Sequence, residues 1–392
     1  MNIDIEVQYL CLKQEFVRGI PYYIKNLIDN LVVYGNNNYS ISLFDYGKER
    51  NNIEYIYKYL KNNTIDKVKI HECNDLSYKK FFEGYIADTS KAYDSKSYEE
   101  YVNGSFDVVH FPSVLSLPQN VKTKTVVTVH DVIPCLPSFE ANWNADIQEV
   151  FLKSVDYVRD RRDITVIADS ASTKRDLMTV SGIEGSRIYV VPLAIDNNNV
   201  YFQEDEATLE RMHISGEYIL YLGALDPRKG IIDIIKSFTA VKNTYPDIKL
   251  VLAGGMEPNY KDRIIDTLNS SAYIDDIILP GYVTDEQKRI LLSSAEIFLF
   301  PSEYEGFGLP VLEAMTCGTP VITTNVSSLP EVGGDAAVYV SPNNVDELSE
   351  AIIRLLDDAV LRDELKQKSI IQSQLFSWEK TVKLTEDVYM SV

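Results

Sequence analysis

Two glutamates bracket a glycine-rich segment in the second half of the chain. Glu305 and Glu313 are separated by seven residues, and the segment between them reads GFGLPVL. Pro310 is well placed as the first residue of a helix, because its missing N–H costs nothing there. We therefore expect the backbone amides of Gly308 and Leu309, together with the helix dipole, to form an anion site.

The two carboxylates indicate what could accompany the anion. Glu313 falls in the first turn of the predicted helix and Glu305 in the loop before it, so helical spacing does not pair them as acid and base. Carboxylates can accept hydrogen bonds from sugar hydroxyls. A nucleotide sugar presents a diphosphate for the amides, with a ribose and a hexose for the acids. The structural alternative is that Glu313 only interacts with the helix dipole and that Glu305 is an exposed loop residue. It does not explain the glycines between the two glutamates.

A second candidate cluster is positively charged. The segment GALDPRKG begins at Gly223, directly after a predicted strand, and contains Arg228 and Lys229. Cations are unfavourable at the start of a helix unless an anion binds there. Two of them could stabilise a diphosphate as it leaves. The alternative is a surface pair without a function.

His130 and Asp131 directly follow the predicted strand 125–129. Ligands of open parallel sheets bind beyond the carboxyl ends of the strands, and a histidine there can hydrogen-bond a sugar hydroxyl. A histidine with a purely structural role is the alternative.

The second half of the chain supplies the elements that must position these residues. Near-continuous Ile, Val and Leu segments alternate with helical periodicity, which predicts a parallel sheet covered on both faces. Thr284 and Gln287 have the spacing of a capping box, and Gly318 stands where a helix would stop. Strands are predicted at 218–225, 249–255, 277–283, 297–302, 320–324 and 336–340, and helices at 230–245, 259–270, 284–295 and 310–318.

The first half has a weaker pattern of the same kind. Strands are predicted at 107–111, 125–129, 164–170 and 187–193, and a helix at 18–31, whereas residues 35–105 show no clear order of elements. The pattern predicts an α/β protein of two Rossmann-like domains, 1–195 and 196–375, that face each other across a deep cleft. The remaining segment, 376–392, reads as an amphipathic helix.

Composition limits the class of protein. The chain has 392 residues and a net charge of −20, which argues against a nucleic-acid-binding protein. The charge is about −4 up to Ile195 and about −16 beyond it, which supports two domains. No apolar segment is long enough to span a membrane and the first residues do not resemble a secretory signal, so a cytoplasmic protein is expected. The four scattered cysteines are expected to be reduced thiols.

The segment from Glu303 to Asn344 strongly resembles the retaining glycosyltransferases of the GT-B fold, specifically the large family 4 with its Glu–seven residues–Glu motif. The resemblance covers most of 105–392 and, more weakly, the first hundred residues. It implies that Glu305 contacts hydroxyls of the donor sugar and that Glu313 binds the ribose. The loop amides of Gly306, Phe307, Gly308 and Leu309 would approach sugar and phosphate.

The resemblance implies further roles. Many members have Arg directly after Gly223, where this chain has Ala224, so the pyrophosphate contacts are assigned to Arg228 and Lys229. The backbone of Val283 would contact the nucleotide base. On the acceptor side, the resemblance implies that His130, with Asp131 beside it, lies near the donor sugar and acceptor. It also implies that Gly19 corresponds to the first glycine-rich loop, and that helix 376–392 crosses back onto the first domain.

The expected activity is retaining transfer of a hexose from a nucleotide-diphosphate sugar to a glycan or lipid-linked glycan in surface polysaccharide synthesis. The HDVIP and LDPRKG segments resemble bacterial polysaccharide mannosyltransferases, which favours GDP-mannose and leaves UDP-sugars open. No metal or other cofactor is expected. Basic clusters in the first half leave peripheral contact with the inner membrane face as a weaker expectation. A sugar-nucleotide epimerase of the same fold and a non-catalytic partner subunit of a transferase also stay open.

Overall fold

The computed structural model describes residues 1–11, 19–44, 52–73, 96–118, 121–136, 145–196 and 200–392. The chain forms two compact units. One consists of Met1–Leu193 together with Trp378–Val392, and the other is Ala194–Ser377.

The first unit contains a parallel sheet of seven strands, with the order β3-β2-β1-β4-β5-β6-β7. The strands are β1 (Asn2–Glu6), β2 (Asn38–Phe44), β3 (Lys69–Cys73), β4 (Val108–Phe111), β5 (Lys124–Val129), β6 (Ile164–Ala168) and β7 (Ile188–Val190). Its helices are α1 (Ile20–Tyr34), α2 (Asn52–Tyr59), α3 (Asn62–Ile65), α4 (Lys96–Val102), α5 (Ala145–Asp160) and α6 (Ala171–Ser181).

The first strand is an element that the sequence pattern did not predict. Its side chains Asp4 and Glu6 alternate with the isoleucines, yet both carboxyl groups are buried. Ser42 on β2 donates a hydrogen bond of 2.6 Å to Asp4, and the backbone N–H of Gln8 donates one of 2.6 Å to Glu6. Apolar patterning does not detect a strand whose carboxylates are accommodated by hydrogen bonds on the covered sheet.

The second unit contains a parallel sheet of six strands, with the order β10-β9-β8-β11-β12-β13. The strands are β8 (Tyr218–Leu222), β9 (Lys249–Ala253), β10 (Ile277–Gly281), β11 (Ile297–Phe300), β12 (Val321–Thr324) and β13 (Ala337–Val340). Its helices are α7 (Glu206–Arg211), α8 (Ile231–Thr244), α9 (Lys261–Asn269), α10 (Asp285–Ser294), α11 (Leu309–Thr316), α12 (Leu329–Gly333), α13 (Val345–Asp357) and α14 (Ala359–Ser373).

The predicted strands and helices of the second half are confirmed as elements. The strands β8, β11 and β12 are buried along their whole length, as expected for a parallel sheet with both faces covered. The capping box at Thr284 and Gln287 is confirmed, with both reciprocal hydrogen bonds formed. The fold is therefore the predicted pair of Rossmann-like α/β units.

The last helix, α15 (Trp378–Ser391), belongs to the first unit. It packs against α1, and its Tyr389 hydroxyl lies 2.7 Å from Nδ1 of the buried His110. Glu386 accepts a hydrogen bond of 2.5 Å from Tyr39 and others from Asn36 and Asn37. The end of the chain is thus joined to the first sheet by buried polar contacts as well as by packing.

No helix within the described ranges is both long and apolar enough to cross a membrane.

Candidate functional site

The strand order of the second sheet determines where its candidate residues meet. The order changes direction between β8 and β11, and such a switch point is where ligands of open parallel sheets bind. Arg228 and Lys229 follow β8, and Glu305 follows β11. The structure brings these three predicted residues together.

Glu305 is the centre of this cluster. Its Oε1 accepts hydrogen bonds from Arg228 Nη1 at 2.9 Å and from Ser302 Oγ at 2.6 Å, and it is also in contact with the Lys229 ammonium group. The side chains of Arg228, Lys229 and Glu305 are only 16%, 12% and 12% exposed. Asp226 Oδ2 lies 3.8 Å from Arg228 Nη2, and its side chain is 19% exposed. The site is therefore a largely desolvated cluster with two cations and two carboxylates.

Electrostatics favour the charged form of the carboxylate. Burial by itself would raise the pKa of Glu305, but Lys229 and Arg228 beside it outweigh burial and hold the pKa below its usual value. Burial lowers the pKa of Lys229 although Glu305 opposes that change. The Lys229 ammonium also lies 4.9 Å from the centroid of the Phe300 ring. Two adjacent, largely desolvated cations are suited to an anionic ligand.

The loops that carry the cluster are joined by their backbones. Asp226 accepts a hydrogen bond of 3.0 Å from Arg228 N and so caps the short turn that presents the two cations. Glu303 N donates to Arg228 O at 2.8 Å. Gly230 has φ +70°, and a Cβ atom there would lie 2.7 Å from Pro301 O. A glycine is needed here because the two loops approach so closely.

Two serines that the sequence analysis missed brace the loop of Glu305. Glu305 N donates a hydrogen bond of 3.0 Å to Ser327 Oγ. Ser328 Oγ donates to Glu305 O at 2.9 Å and to Phe307 O at 2.7 Å. These serines follow β12, and only the resemblance of the segment around them, not their spacing, pointed to this site.

The helix after the glycines begins one residue earlier than predicted. Gly308 precedes it with φ +114°, Leu309 is its first residue and Pro310 its second. Glu313 therefore lies in the second turn, and the prediction of the first turn was wrong. The helix dipole acts on Glu313 less directly than predicted, because the effect falls off within the first turn.

Glu313 has a partner that was not predicted. Lys288 on α10 donates a hydrogen bond of 2.6 Å to Glu313 Oε1, and both side chains are nearly buried. The two glutamates of the motif are thus each held by cations from other elements. No periodicity could indicate Lys288, because the pair joins neighbouring helices.

The two remaining donor-side candidates lie at other strand ends of the second sheet. Gly223 follows β8, and its N–H donates to Ala253 O at 3.0 Å. A Cβ atom at Gly223 would lie 2.8 Å from the Tyr221 hydroxyl. Val283 follows β10 and is 2% exposed. The predicted contact between the Val283 backbone and the nucleotide base stays a prediction.

On the first unit, the structure shows the partners of the His130 ring. Its Nδ1 lies 2.7 Å from Asp169 Oδ2 and its Nε2 lies 2.9 Å from Pro112 O. Both ring nitrogens have partners within the protein, and contact of His130 with a sugar hydroxyl stays a prediction. Asp131 accepts a hydrogen bond of 2.9 Å from Ile133 N, which shapes the turn after the strand.

Gly19 lies before the first residue of α1, with φ +60°. Nothing lies within 4 Å of a Cβ atom built there. The backbone conformation, and not a close approach, favours glycine at this position.

The remaining side chains considered are possible metal ligands and the cysteines. Within the described ranges no group of three or more His, Cys, Asp or Glu side chains could hold a metal ion. Cys135 and Cys317 are free thiols, and Cys317 is buried. The side chains of Cys11 and Cys73 lie outside the described part of the chain.

Part of the chain matches a family model, and most of it is similar to known proteins. Residues 213–372 match the family model described as "Glycosyl transferases group 1". An O-antigen chain mannosyltransferase B from Escherichia coli is 29% identical over 310 residues, covering 76% of each chain. The serotype-specific mannosyltransferase WbdA from Escherichia coli is 29% identical over 280 residues, which is 69% of this chain and 34% of that protein.

Solved structures give the same result at the level of the fold. A sucrose-phosphate synthase from Thermosynechococcus elongatus superimposes with a TM-score of 0.76 at 20% identity, covering 100% of this chain and 98% of that one. Anabaena HepE in complex with UDP and glucose has a TM-score of 0.73 at 16% identity, covering 100% of both chains.

Proposed function

We propose, from the premise that this chain carries a glycosyltransferase group 1 domain on a GT-B fold, that it is a retaining hexosyltransferase that uses a nucleotide-diphosphate sugar. The observation that carries the proposal is the buried cluster at the switch point of the second sheet, where Arg228 and Lys229 meet Glu305. A diphosphate offers anionic oxygens that both cations can bind.

Each residue of the cluster has a role in the proposed transfer. Arg228 and Lys229 bind the diphosphate and stabilise the charge that develops on its departing oxygen. Glu305 then accepts hydrogen bonds from hydroxyls of the sugar, and Glu313 accepts them from the ribose.

The transfer itself needs no covalent intermediate with the protein. The acceptor oxygen forms the new bond to the anomeric carbon on the face that the diphosphate leaves, and the bond from that carbon to the phosphate oxygen breaks. The acceptor hydroxyl gives its proton to that phosphate oxygen. The two cations supply charge stabilisation, so we propose that no metal ion is required.

Mannose is the favoured sugar. The O-antigen and serotype-specific relatives from Escherichia coli are mannosyltransferases by name, and so is the MMP alpha-(1->4)-mannosyltransferase from Mycolicibacterium hassiacum, which is 32% identical over 58% of this chain. We propose GDP-mannose as donor and a glycan or lipid-linked glycan as acceptor, with acceptor contacts on the first unit. We place the reaction in the cytoplasm, with peripheral contact with the membrane face as the weaker alternative.

A donor panel tests the proposal. Thermal unfolding is measured with GDP-mannose, UDP-glucose and UDP-N-acetylglucosamine, and transfer is followed with a mannosyl glycoside as acceptor. We expect GDP-mannose to stabilise the protein most. Arg228→Ala should weaken donor binding about tenfold or more, because it removes a charge-assisted contact.

The matched control is Lys366→Ala, which removes an exposed lysine of α14 in the same unit. It should leave binding and transfer unchanged. Stabilisation by no donor, or full turnover in Glu305→Gln and Arg228→Ala, would contradict the proposal. Release of an epimerised sugar without acceptor would indicate the epimerase instead.

A further inference from the structure

Three neighbouring strands of the first sheet end at one histidine ring. β4, β5 and β6 are adjacent and parallel, with Phe111 beside Val127 and Val129 beside Ala168. The residues that directly follow these strands are Pro112, His130 and Asp169. The His130 ring spans all three strand ends, because one nitrogen contacts Pro112 O and the other contacts Asp169.

The contacts of the ring fix its protons. A carbonyl oxygen can only accept, so Nε2, at 2.9 Å from Pro112 O, must carry a hydrogen. The 2.7 Å contact between Nδ1 and the Asp169 carboxyl group also requires a proton between its two atoms. While that proton is held, His130 has no open lone pair and cannot take a proton from a substrate.

The surroundings of the pair retain this proton. Asp169 is 2% exposed, and its Oδ1 has no hydrogen-bond partner among the described residues. Burial by itself would lower the pKa of His130, but Asp169, the Pro112 carbonyl and Asp131 outweigh burial and raise it. Burial raises the pKa of Asp169 and His130 opposes that change, so the Asp169 carboxylate depends on the histidine as its counter-ion.

Two other titratable side chains near the His130 ring, Tyr23 and His110, are neutral. The Tyr23 ring of α1 meets His130 edge-on, with centroids 4.9 Å apart. Burial keeps Tyr23 in its phenol form by raising its pKa. His110 on β4 is buried, and burial followed by the charge of His130 lowers its pKa to about 3. Among the described residues these groups, with Asp131 and Asp169, set the charge of His130.

We propose that Asp169 is a positioning residue that keeps His130 doubly protonated and fixed in orientation, so that His130 serves the transfer as a stationary cation and never as a base. The part of this inference that concerns the role of His130 in transfer rests on the proposed function. It is consistent with a transfer in which the leaving diphosphate takes the acceptor proton, since the first unit then has no need of a base at this position.

An NMR titration of the histidine side chains tests the pair without any substrate. The wild-type protein is compared with Asp169→Asn, and the His130 signal is identified by its loss in His130→Gln. An asparagine amide can donate to Nδ1 and keep the ring in place, but it cannot balance a charge. We expect the midpoint of His130 to lie above that of an ordinary histidine, and to fall by about 1–3 pH units in Asp169→Asn.

Two further variants separate this effect from general damage. Asp169→Glu keeps the carboxylate and should restore a raised midpoint. Asp163→Asn removes an exposed carboxylate of the same unit, which pairs with Arg161, and should leave the midpoint unchanged. Equal midpoints in wild type and Asp169→Asn would overturn the proposal.

The pH profile of transfer gives the catalytic test, with GDP-mannose as donor and methyl α-mannoside as acceptor probe. We expect kcat to fall as pH rises through the His130 midpoint, and to fall at lower pH in Asp169→Asn. A rate that rises through the midpoint would make His130 a base, and an equal loss at every pH would make Asp169 merely structural. Either result overturns the proposal. If no sugar is transferred from any donor, the proposed function fails. The NMR titration alone then tests whether Asp169 keeps His130 doubly protonated.

Discussion

Side chains of its own unit surround one carboxylate oxygen of Glu305, Oε1. Arg228, Lys229 and Ser302 all contact one oxygen of its carboxyl group. A diphosphate between the two cations would take over part of their hydrogen bonding. Glu305 would then be released toward sugar hydroxyls only when the donor has bound, which couples the two halves of donor recognition in one carboxylate.

Glu305→Gln tests this exchange. The variant should lower the thermal stability of the unliganded protein, since two nearly buried cations lose their carboxylate at a cost on the order of 3 kcal/mol. Inorganic pyrophosphate should then stabilise the variant more than it stabilises the wild type, because it supplies the missing anion. Glu350→Gln, at an exposed glutamate of α13, is the control, and equal gains in all three proteins would contradict the exchange.

Titration of the buried Glu6 carboxyl group should make the free energy of unfolding depend on pH. Burial raises its pKa from 4.5 to about 8, against opposing hydrogen bonds from Ser116 and the Gln8 amide. A carboxyl group with a raised folded-state pKa stabilises the fold most at low pH, and this contribution is lost as pH rises from 4.5 toward 8. Its share of the free energy of unfolding should fall by about 1.4 kcal/mol per pH unit in that window.

Glu6→Gln removes the titration and should flatten this slope, as measured by denaturant unfolding across the window. Glu72→Gln, an exposed glutamate of β3, is the control and should keep the wild-type slope. An unchanged slope in Glu6→Gln would show that the Glu6 carboxyl group does not titrate there.

The loops after β8 and β11 behave as one element of the site. They are joined by the hydrogen bond from Glu303 N to Arg228 O and by the approach of Gly230 to Pro301. The cations and the carboxylate are therefore positioned by backbone contacts between loops, and their spacing does not depend on flexible side chains alone.

Gly230→Ala should disturb both stability and donor binding. It adds the strain of a positive φ and a contact of 2.7 Å with Pro301 O, which forces the two loops apart. Gly216→Ala is a matched control, since Gly216 has φ +77° with nothing within 4 Å of a Cβ atom. We expect both variants to lower the melting temperature but only Gly230→Ala to weaken GDP binding. Equal GDP affinities would show that the loops move independently.

The elements that the sequence predicted well are those with local signals. β8, β11 and β12 are apolar along their length, and the helix after Thr284 carries its own cap. β1 escaped prediction because its buried Asp4 and Glu6 interrupt the apolar pattern, and the hydrogen bond from Ser42 to Asp4 comes from another strand. The candidate residues were found through motifs and resemblance, but Lys288 and Asp169 were not, because each becomes a partner only through tertiary contacts.

At the scale of the molecule, the two units differ in how the chain builds them. The second is one continuous segment, whereas the first is completed by α15 from the far end of the chain. Tyr389 and Glu386 of α15 make buried hydrogen bonds to the first sheet and its neighbouring turn. Without α15, His110 would lose its contact with Tyr389, and Tyr39 would lose its hydrogen bond to Glu386.

Separate fragments test this dependence. Residues 194–377 expressed alone should fold cooperatively and bind GDP, whereas residues 1–193 should fail to fold. Joining 378–392 to residues 1–193 through a flexible linker should restore cooperative unfolding by circular dichroism. The same fusion with Tyr389→Phe and Glu386→Gln is the control for the buried contacts. A stable 1–193 fragment would contradict the role assigned to α15.

The placement of α15 also bears on the order of events on the ribosome. Domains usually fold in the order of their synthesis, the N-terminal one first. Here the segment made first lacks its last helix until residues 378–392 have been synthesised, while the second unit is already complete. We therefore expect the second unit to fold first during translation. The first unit would stay incompletely covered until α15 has been synthesised.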